Sequence, residues 1–233
     1  MRDEQGNPIL GAHPNSRFTV PISNCPSVSF RLEQHHGVPI SAIIFGGRRA
    51  HLSPLVYEAF NWQHGVFIGA TVASERTAAQ FGKLGEVRRD PMAMLPFCGY
   101  NMADYFRHWL EMGKRIVKPL KIFHVNWFRT DEKARFLWPG YGENLRVIEW
   151  ILDRCNNKIE AVETPIGYIP KISDIDMTGL NLPAGTLERL FSINRKEWLE
   201  ELKDIKKFFM QFKKDLPSEL WQEYRALLER LKS

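Results

Sequence analysis

The segment from Val38 to Phe45, VPISAIIF, constrains this chain more than any other stretch. It is a nearly continuous apolar run, the pattern of a strand covered on both faces of its sheet. Strands of that kind lie inside α/β architectures, with helices on either side. Gly46-Gly47-Arg48-Arg49 follows directly. Two glycines permit positive φ and a close backbone approach by a ligand. An arginine just past the C-terminal end of such a strand can hold a phosphate with its five-donor fork, and open α/β sheets bind ligands along that edge. A solvated turn with two surface arginines accounts for the same residues.

Lys121 to Val125 reads as a second short buried strand. Behind it, rings recur along a polar loop: Trp127, Phe128, Phe136, Trp138 and Tyr141, with Pro139, Gly140 and Gly142 closing the far end. Flat rings on a loop behind a strand can sandwich a flat ligand such as a nucleobase. Asn144 offers a carboxamide, donor and acceptor together, suited to a base edge. An ordinary aromatic core closed by a turn is the other reading of this loop. Leu145 to Asp153 has helical spacing, and ligand groups could meet the free N–H donors of its first turn.

Pro54 to Trp62 shows helical apolar spacing with a proline in its first turn, and Val66 to Thr71 reads as a strand. Asn101 to Met112 fits an amphipathic helix capped by Asn101, and Gly167 to Ile169 a further strand. The last portion is helical. Asn194 and Glu197 form a capping-box pattern before one apolar face, and a final helix follows Pro217; the two are expected to pack as a hairpin on the α/β body.

Residues 1–40 are rich in turn signals, with a short strand expected at Arg17 to Pro21. Asn15 and Arg17 would point to one side of an extended segment, as an oxyanion clamp or as plain surface polarity. Small residues and glycines from Ser74 to Gly85 suit a mobile lid or a surface loop. His64 reads as a ligand, a base or a structural hydrogen bonder.

Composition narrows the classes. Apolar residues at 44% and charged residues at 25% of 233 describe a soluble globule. The net charge of +5 is spread out, which suits anionic ligands but gives little support for nucleic acid. Cys25, Cys98 and Cys155 are far apart without CxxC spacing, so neither a zinc ribbon nor a disulfide framework is indicated, and a reducing compartment is expected. No apolar run approaches 18 residues, and the first residues lack a signal-peptide core, so no membrane span is expected. Arg17, Arg48, Arg49, Lys83 and Arg129 could meet phosphates. No Walker A loop ending in GKS or GKT, no HExxH, no GxSxG and no metal-ligand cluster is found. From its residues the chain reads as a nucleotide-binding part without the metal that phosphoryl transfer needs.

Five motifs carry a family resemblance: HPNSRF at 13–18, IIFGGRR at 43–49, WQHGVF at 62–67, FHVNWF at 123–128 and FLWPGYGEN at 136–144. In sequence and order they resemble the C-terminal part of GTP-dependent phosphoenolpyruvate carboxykinase. The resemblance runs through the GYIP segment and the helical tail, covering essentially this whole chain and rather more than the last third of a family member. It implies an α/β fold: the mixed-sheet, nucleotide-binding C-terminal part of the carboxykinase fold, with a C-terminal helical hairpin. Residues 1–185 would be the GTP- and substrate-binding part and 186–233 the helical segment.

The implied activity converts oxaloacetate and GTP to phosphoenolpyruvate, GDP and CO2, reversibly, with Mn2+ or Mg2+ at the active site and a second ion on the nucleotide. Asn15 and Arg17 would contact substrate, with Arg17 reaching the transferred phosphoryl group, and Arg48 would hold nucleotide phosphate; Arg17 and Arg48 are thus the implied catalytic residues. The lid would span about 74–85. Trp127, Phe128, Phe136 and Tyr141 in the 127–144 loop would form the guanine pocket, and Asn144 would read the base. Tyr141 stands where the family has phenylalanine, and Arg76 with Gln80-Phe81 makes the lid atypical.

The family's phosphate loop and metal ligands have no match here and are expected to precede Met1, in a longer protein or a separate N-terminal portion. The chain alone is expected to be inactive and to expose an apolar edge. A guanine-nucleotide-binding regulatory module without turnover, or a structural fragment, are the alternatives. The expected location is the cytoplasm, or the mitochondrial matrix for the complete protein.

Overall fold

The computed structural model describes residues 5, 7, 19–76, 85–118 and 120–233. The chain divides into two compact units, Met1–Pro39 and Ile40–Ser233. In the first, the described residues form two single 3-10 turns, Ile22–Asn24 and Phe30–Glu33, the second capped by Ser29, whose hydroxyl accepts from the Arg31 N–H. Thr19 to Pro21 are not a strand; the rest of the strand expected at 17–21, with His13, Asn15 and Arg17, lies outside the described residues.

The second unit is built on a five-stranded mixed sheet in the order β1 (Ala42–Gly46), β5 (Lys121–Val125), β2 (Val56–Glu58), β7 (Gly167–Ile169), β6 (Val162–Thr164). β1 and β5 run parallel, in register from Ala42 opposite Lys121 to Gly46 opposite Val125, and the other pairs are antiparallel. A separate two-stranded ribbon joins β3 (Ala73–Glu75) to β4 (Val87–Arg89).

Alternation along β5 divides the interior into two cores. Ile122 joins the core formed with α1 (Trp62–Ala70), α2 (Met102–Arg115), α5 (Arg195–Met210) and α6 (Ser218–Lys232). Phe123 and Val125 join the other, with α3 (Asn144–Cys155) and α4 (Thr186–Phe191). The helices α5 and α6 form the C-terminal hairpin, packed against the α/β body through α1. Asn194 caps α5 as its spacing predicts, accepting from the N–H groups of Lys196 and Glu197. Asn101 caps α2, accepting from the Ala103 N–H.

Two segments exchange their predicted types. The stretch expected to be a helix, Pro54 to Trp62, holds β2. Its residues pair antiparallel with β5 and are buried throughout, so tertiary pairing overrides a weak helical period. The predicted strand from Val66 to Thr71 is instead the later part of α1, with Thr71 as its C-cap. Asn61 starts that helix by accepting from the His64 N–H, so Trp62, the expected end of a helix, is the beginning of one. A short apolar run buried all round carries no period that separates strand from helix. β1 also departs from expectation: among the described residues it pairs only with β5, and Ile44 is 40% exposed. Apolar sequence states what a strand can bury, not which neighbour covers it.

Gly65 shows how tightly α1 lies on the sheet. A Cβ there would fall 2.7 Å from Cβ and 2.9 Å from Cγ1 of Ile122. Helix propensity favours alanine by about 1 kcal/mol, but overpacking against a strand costs about 1–3 kcal/mol. Gly65→Ala is therefore expected to lose up to about 2 kcal/mol in denaturant unfolding; a gain would show that the sheet yields freely.

Candidate functional site

Because β1 and β5 are parallel, their C-terminal ends open on the same sheet edge, and the loops after Gly46 and Val125 emerge side by side. The Gly47 N–H donates to the Val125 carbonyl at 3.2 Å. Neither Gly46 nor Gly47 uses positive φ. Gly47 is required by contact instead: a Cβ would sit 2.7 Å from the Ala73 carbonyl oxygen, so the chain's own ribbon makes the close approach. β3 then holds the next residue. The Arg48 N–H donates to the Ser74 hydroxyl at 3.1 Å, its carbonyl accepts from the Glu75 N–H at 2.8 Å, and the Glu75 carboxylate accepts from the Ala50 N–H at 2.7 Å.

With its backbone fixed, Arg48 lays its guanidinium over the ring of Phe128, 3.7 Å from the centroid. That is close cation–π contact. Phe136 meets Phe128 edge-on, with centroids 6.0 Å apart. It reaches there because the intervening chain doubles back: Thr130 bridges Phe136, and the Leu137 N–H donates to the Arg129 carbonyl. Asp131 closes that turn. Hydrogen bonds from the Arg135 backbone N–H and guanidinium hold its carboxyl down to about 2. Trp127 is half-buried against the second core, while Phe136 is 60% and Tyr141 94% exposed.

Trp138, the remaining ring of the loop, is buried and donates through Nε1 to Oδ1 of Asn144 at 2.9 Å. An indole nitrogen can only donate, so the carboxamide oxygen of Asn144 must face it, and the amide nitrogen is left as the group for other partners. Asn144 is the first residue of α3, entered through a 3-10 turn at Tyr141–Glu143.

Of the other cations that could meet phosphates, the two among the described residues, Arg49 and Arg129, are engaged elsewhere. Arg49 grips Glu201 on α5 with two parallel hydrogen bonds of 3.0 and 2.7 Å, and Arg89 on β4 reaches the same carboxylate at 2.7 Å. Burial pushes the Glu201 carboxyl up, but the Arg49 hydrogen bonds and the charges of Arg89 and Arg49 outweigh it and hold it below the usual carboxylate range. Arg129 donates to the carbonyls of Leu190 and Ser192 and to the Ser192 hydroxyl. Lys83, Asn15 and Arg17 lie outside the described residues, as does 77–84 of the expected lid. On either side of 77–84 runs the β3–β4 ribbon, continued by the Arg76 N–H donating to the Glu86 carbonyl and the Gly85 N–H to the Arg76 carbonyl.

Sequence reasoning missed two residues. Asn126 and Glu201 are buried polar groups that organise the loop around Arg48. A polar residue ending an apolar strand was the available signal for Asn126. Glu201, 152 residues from Arg49, gave none. His64 is a structural hydrogen bonder: Nδ1 accepts from the Phe60 N–H at 3.1 Å. Burial, helped by Arg230, lowers it to about 3.

Against known families, residues 1–230 match the model described as phosphoenolpyruvate carboxykinase C-terminal P-loop domain. The chain belongs to this family. Among curated relatives, a phosphoenolpyruvate carboxykinase (GTP) from Thermoplasma volcanium is 53% identical over 226 residues, 97% of this chain and 38% of the relative. One from Chlamydia pneumoniae is 50% identical over 223 residues, 95% and 37% respectively. One from Anaeromyxobacter dehalogenans is 49% identical over 230 residues, 99% and 39%. The chain therefore spans under two fifths of the length of these carboxykinases. Among the described residues no group of three or more His, Cys, Asp or Glu side chains could hold a metal ion. They do not fit the Mn2+ or Mg2+ that the resemblance implies. No helix among them is long and apolar enough to cross a membrane.

Proposed function

We propose that this chain carries the guanine-nucleotide site of a phosphoenolpyruvate carboxykinase (GTP), which converts oxaloacetate and GTP to phosphoenolpyruvate, GDP and CO2. The observation that carries the reading is the Arg48 guanidinium lying on Phe128, with Phe136 against the same ring, at the C-terminal edge of two parallel strands. A cation beside a stacking surface, at the edge where α/β sheets take ligands, supports a joint phosphate- and base-binding role.

In this reading Trp127, Phe128, Phe136 and Tyr141 hold the guanine, and the amide nitrogen of Asn144, the end not taken by Trp138, donates to an acceptor on the base. Arg48 binds nucleotide phosphate. As the resemblance implies, Asn15 and Arg17 contact oxaloacetate or phosphoenolpyruvate, and Arg17 reaches the transferred phosphoryl group, whose spreading charge a guanidinium offsets. Residues 74–85 close over the site. Residues 1–185 bind the ligands and 186–233 brace them. By itself the chain binds guanine nucleotide weakly without turnover.

The test is titration of the chain with GTP and ATP, read by tryptophan fluorescence. GTP is expected to bind in preference to ATP, and Phe136→Ala to weaken it by about 1–3 kcal/mol, the usual worth of one stacked base. Equal response to the two nucleotides, or none, would sink the reading. Adding a polypeptide covering the remaining length of a relative is expected to bring oxaloacetate decarboxylation.

A further inference from the structure

Asn126 follows β5 directly and is fully buried. A buried carboxamide has four hydrogen-bonding positions to satisfy, and each one left empty is costly. Asn126 fills all four. Its Oδ1 accepts from the N–H of Arg49 at 3.1 Å and of Phe128 at 3.2 Å. Its Nδ2 donates to the carbonyls of Arg49 at 2.8 Å and Ser53 at 2.9 Å. One side chain therefore clasps the backbone next to Arg48 and the backbone of Phe128, two loops far apart in sequence. Those are the loops that supply the cation and the ring of the 3.7 Å stack.

We propose that Asn126 is a positioning residue for nucleotide binding: it holds Arg48 and Phe128 as one unit, so that phosphate and base are recognised jointly. The proposal rests on the nucleotide reading above. Asn126 is enclosed and touches no ligand. It acts through the two backbones it ties: the Gly47 N–H on Val125 and the Thr130 N–H on Ala50 join the loops on either side, and without Asn126 the stretch between them, which carries Arg48 and Phe128, loses its central tie. The stack gives the reason for the coupling. The face of Phe128 that carries Arg48 is taken, so a base must use what remains of the ring, and any shift of Arg48 moves phosphate and base contacts together.

The experiment measures affinity of the full chain for GDP and for guanosine by tryptophan fluorescence, with denaturant stability alongside. It uses wild type, Arg48→Ala, Asn126→Ala, the double variant and Gly65→Ala. The ratio of GDP to guanosine affinity isolates the phosphate contribution. Arg48→Ala is expected to lower that ratio about tenfold, the scale of one charge-assisted hydrogen bond. Asn126→Ala is expected to lower it by a similar factor, and the double variant to fall no further, because both act on one unit. Gly65→Ala loses stability at a remote packing site and keeps the wild-type ratio. A wild-type ratio in Asn126→Ala, or losses that simply multiply in the double variant, would overturn the proposal while leaving the nucleotide reading intact. Failure of the wild-type chain to bind either ligand would overturn the nucleotide reading and this proposal with it. If Asn126→Ala does not fold, Asn126→Ser supplies the same comparison.

Discussion

Replacing Glu201 by alanine is expected to cost about 3–5 kcal/mol of stability, the range for breaking a buried ion pair by removing one partner. The carboxylate is 9% exposed and the Arg49 and Arg89 side chains are each 12% exposed. Without it, two guanidiniums face each other with little water to compensate. A domain of ordinary stability has only about 5–15 kcal/mol in total, so this one change takes a large share. Glu201→Gln keeps the shape and loses the charge, and falls between alanine and wild type. The measurement is urea unfolding at neutral pH. A loss under about 1 kcal/mol in Glu201→Ala would show that the arginines find solvent or other partners. The consequence reaches the site: Arg49 adjoins Arg48 in the chain, and Arg89 ends the ribbon whose other strand binds the Arg48 backbone.

Acid sensitivity is the second large effect. Burial, with the nearby Arg230 charge, lowers His64 to about 3; burial, with Arg49, lowers His124 to about 4. Both remain neutral in the folded chain where an unfolded histidine, near 6.5, takes a proton. The unfolded state therefore binds more protons below that value, and stability falls as pH falls. The contribution is complete above about pH 6.5 and is lost from there down through about 4 and then 3. Together the two histidines are expected to remove about 4 kcal/mol between pH 8 and pH 5. Glu201, held below its usual range, adds loss in the same direction at lower pH. His124→Phe isolates one share. His124 stacks on Tyr57 at 5.1 Å, and its buried Nδ1 has no hydrogen-bond partner, so a phenyl ring replaces it with little polar loss. The variant is expected to show about half the wild-type dependence between pH 7 and pH 5. An unchanged slope would assign the acid sensitivity to other groups.

Much of the architecture was legible from residue pattern. Lys121–Val125 is a strand at the predicted bounds, the α5 and α6 hairpin follows its apolar faces, and Asn101 and Asn194 cap where their spacing says. These features are local: a cap needs only the next turn, and an amphipathic helix shows its buried stripe in its own period. The exchange at 54–71 marks where local reading ends. PLVYEAFNW forms β2 because β5 stands ready to pair with it, and WQHGVFIGA forms α1 because Gly65 and Gly69 let it settle against Ile122 and Phe45. Nothing within either stretch states those partners.

The candidate site divides along the same line. Arg48 and the rings from Trp127 to Tyr141 could be singled out because glycines, arginines and aromatics cluster at strand ends. Which arginine faces the ring could not. Arg48 and Arg49 are adjacent and chemically alike, yet one lies on Phe128 and the other is held by Glu201. Sequence by itself determined the strands Lys121–Val125 and Gly167–Ile169, the helix caps, the stock of cations and rings, and the family. Only the tertiary structure decided which cation stays available, because that depends on a carboxylate arriving from a helix 152 residues away and on Asn126 joining two loops. Charge pairing and hydrogen bonding act across space at a few ångströms, and chain order does not record that distance.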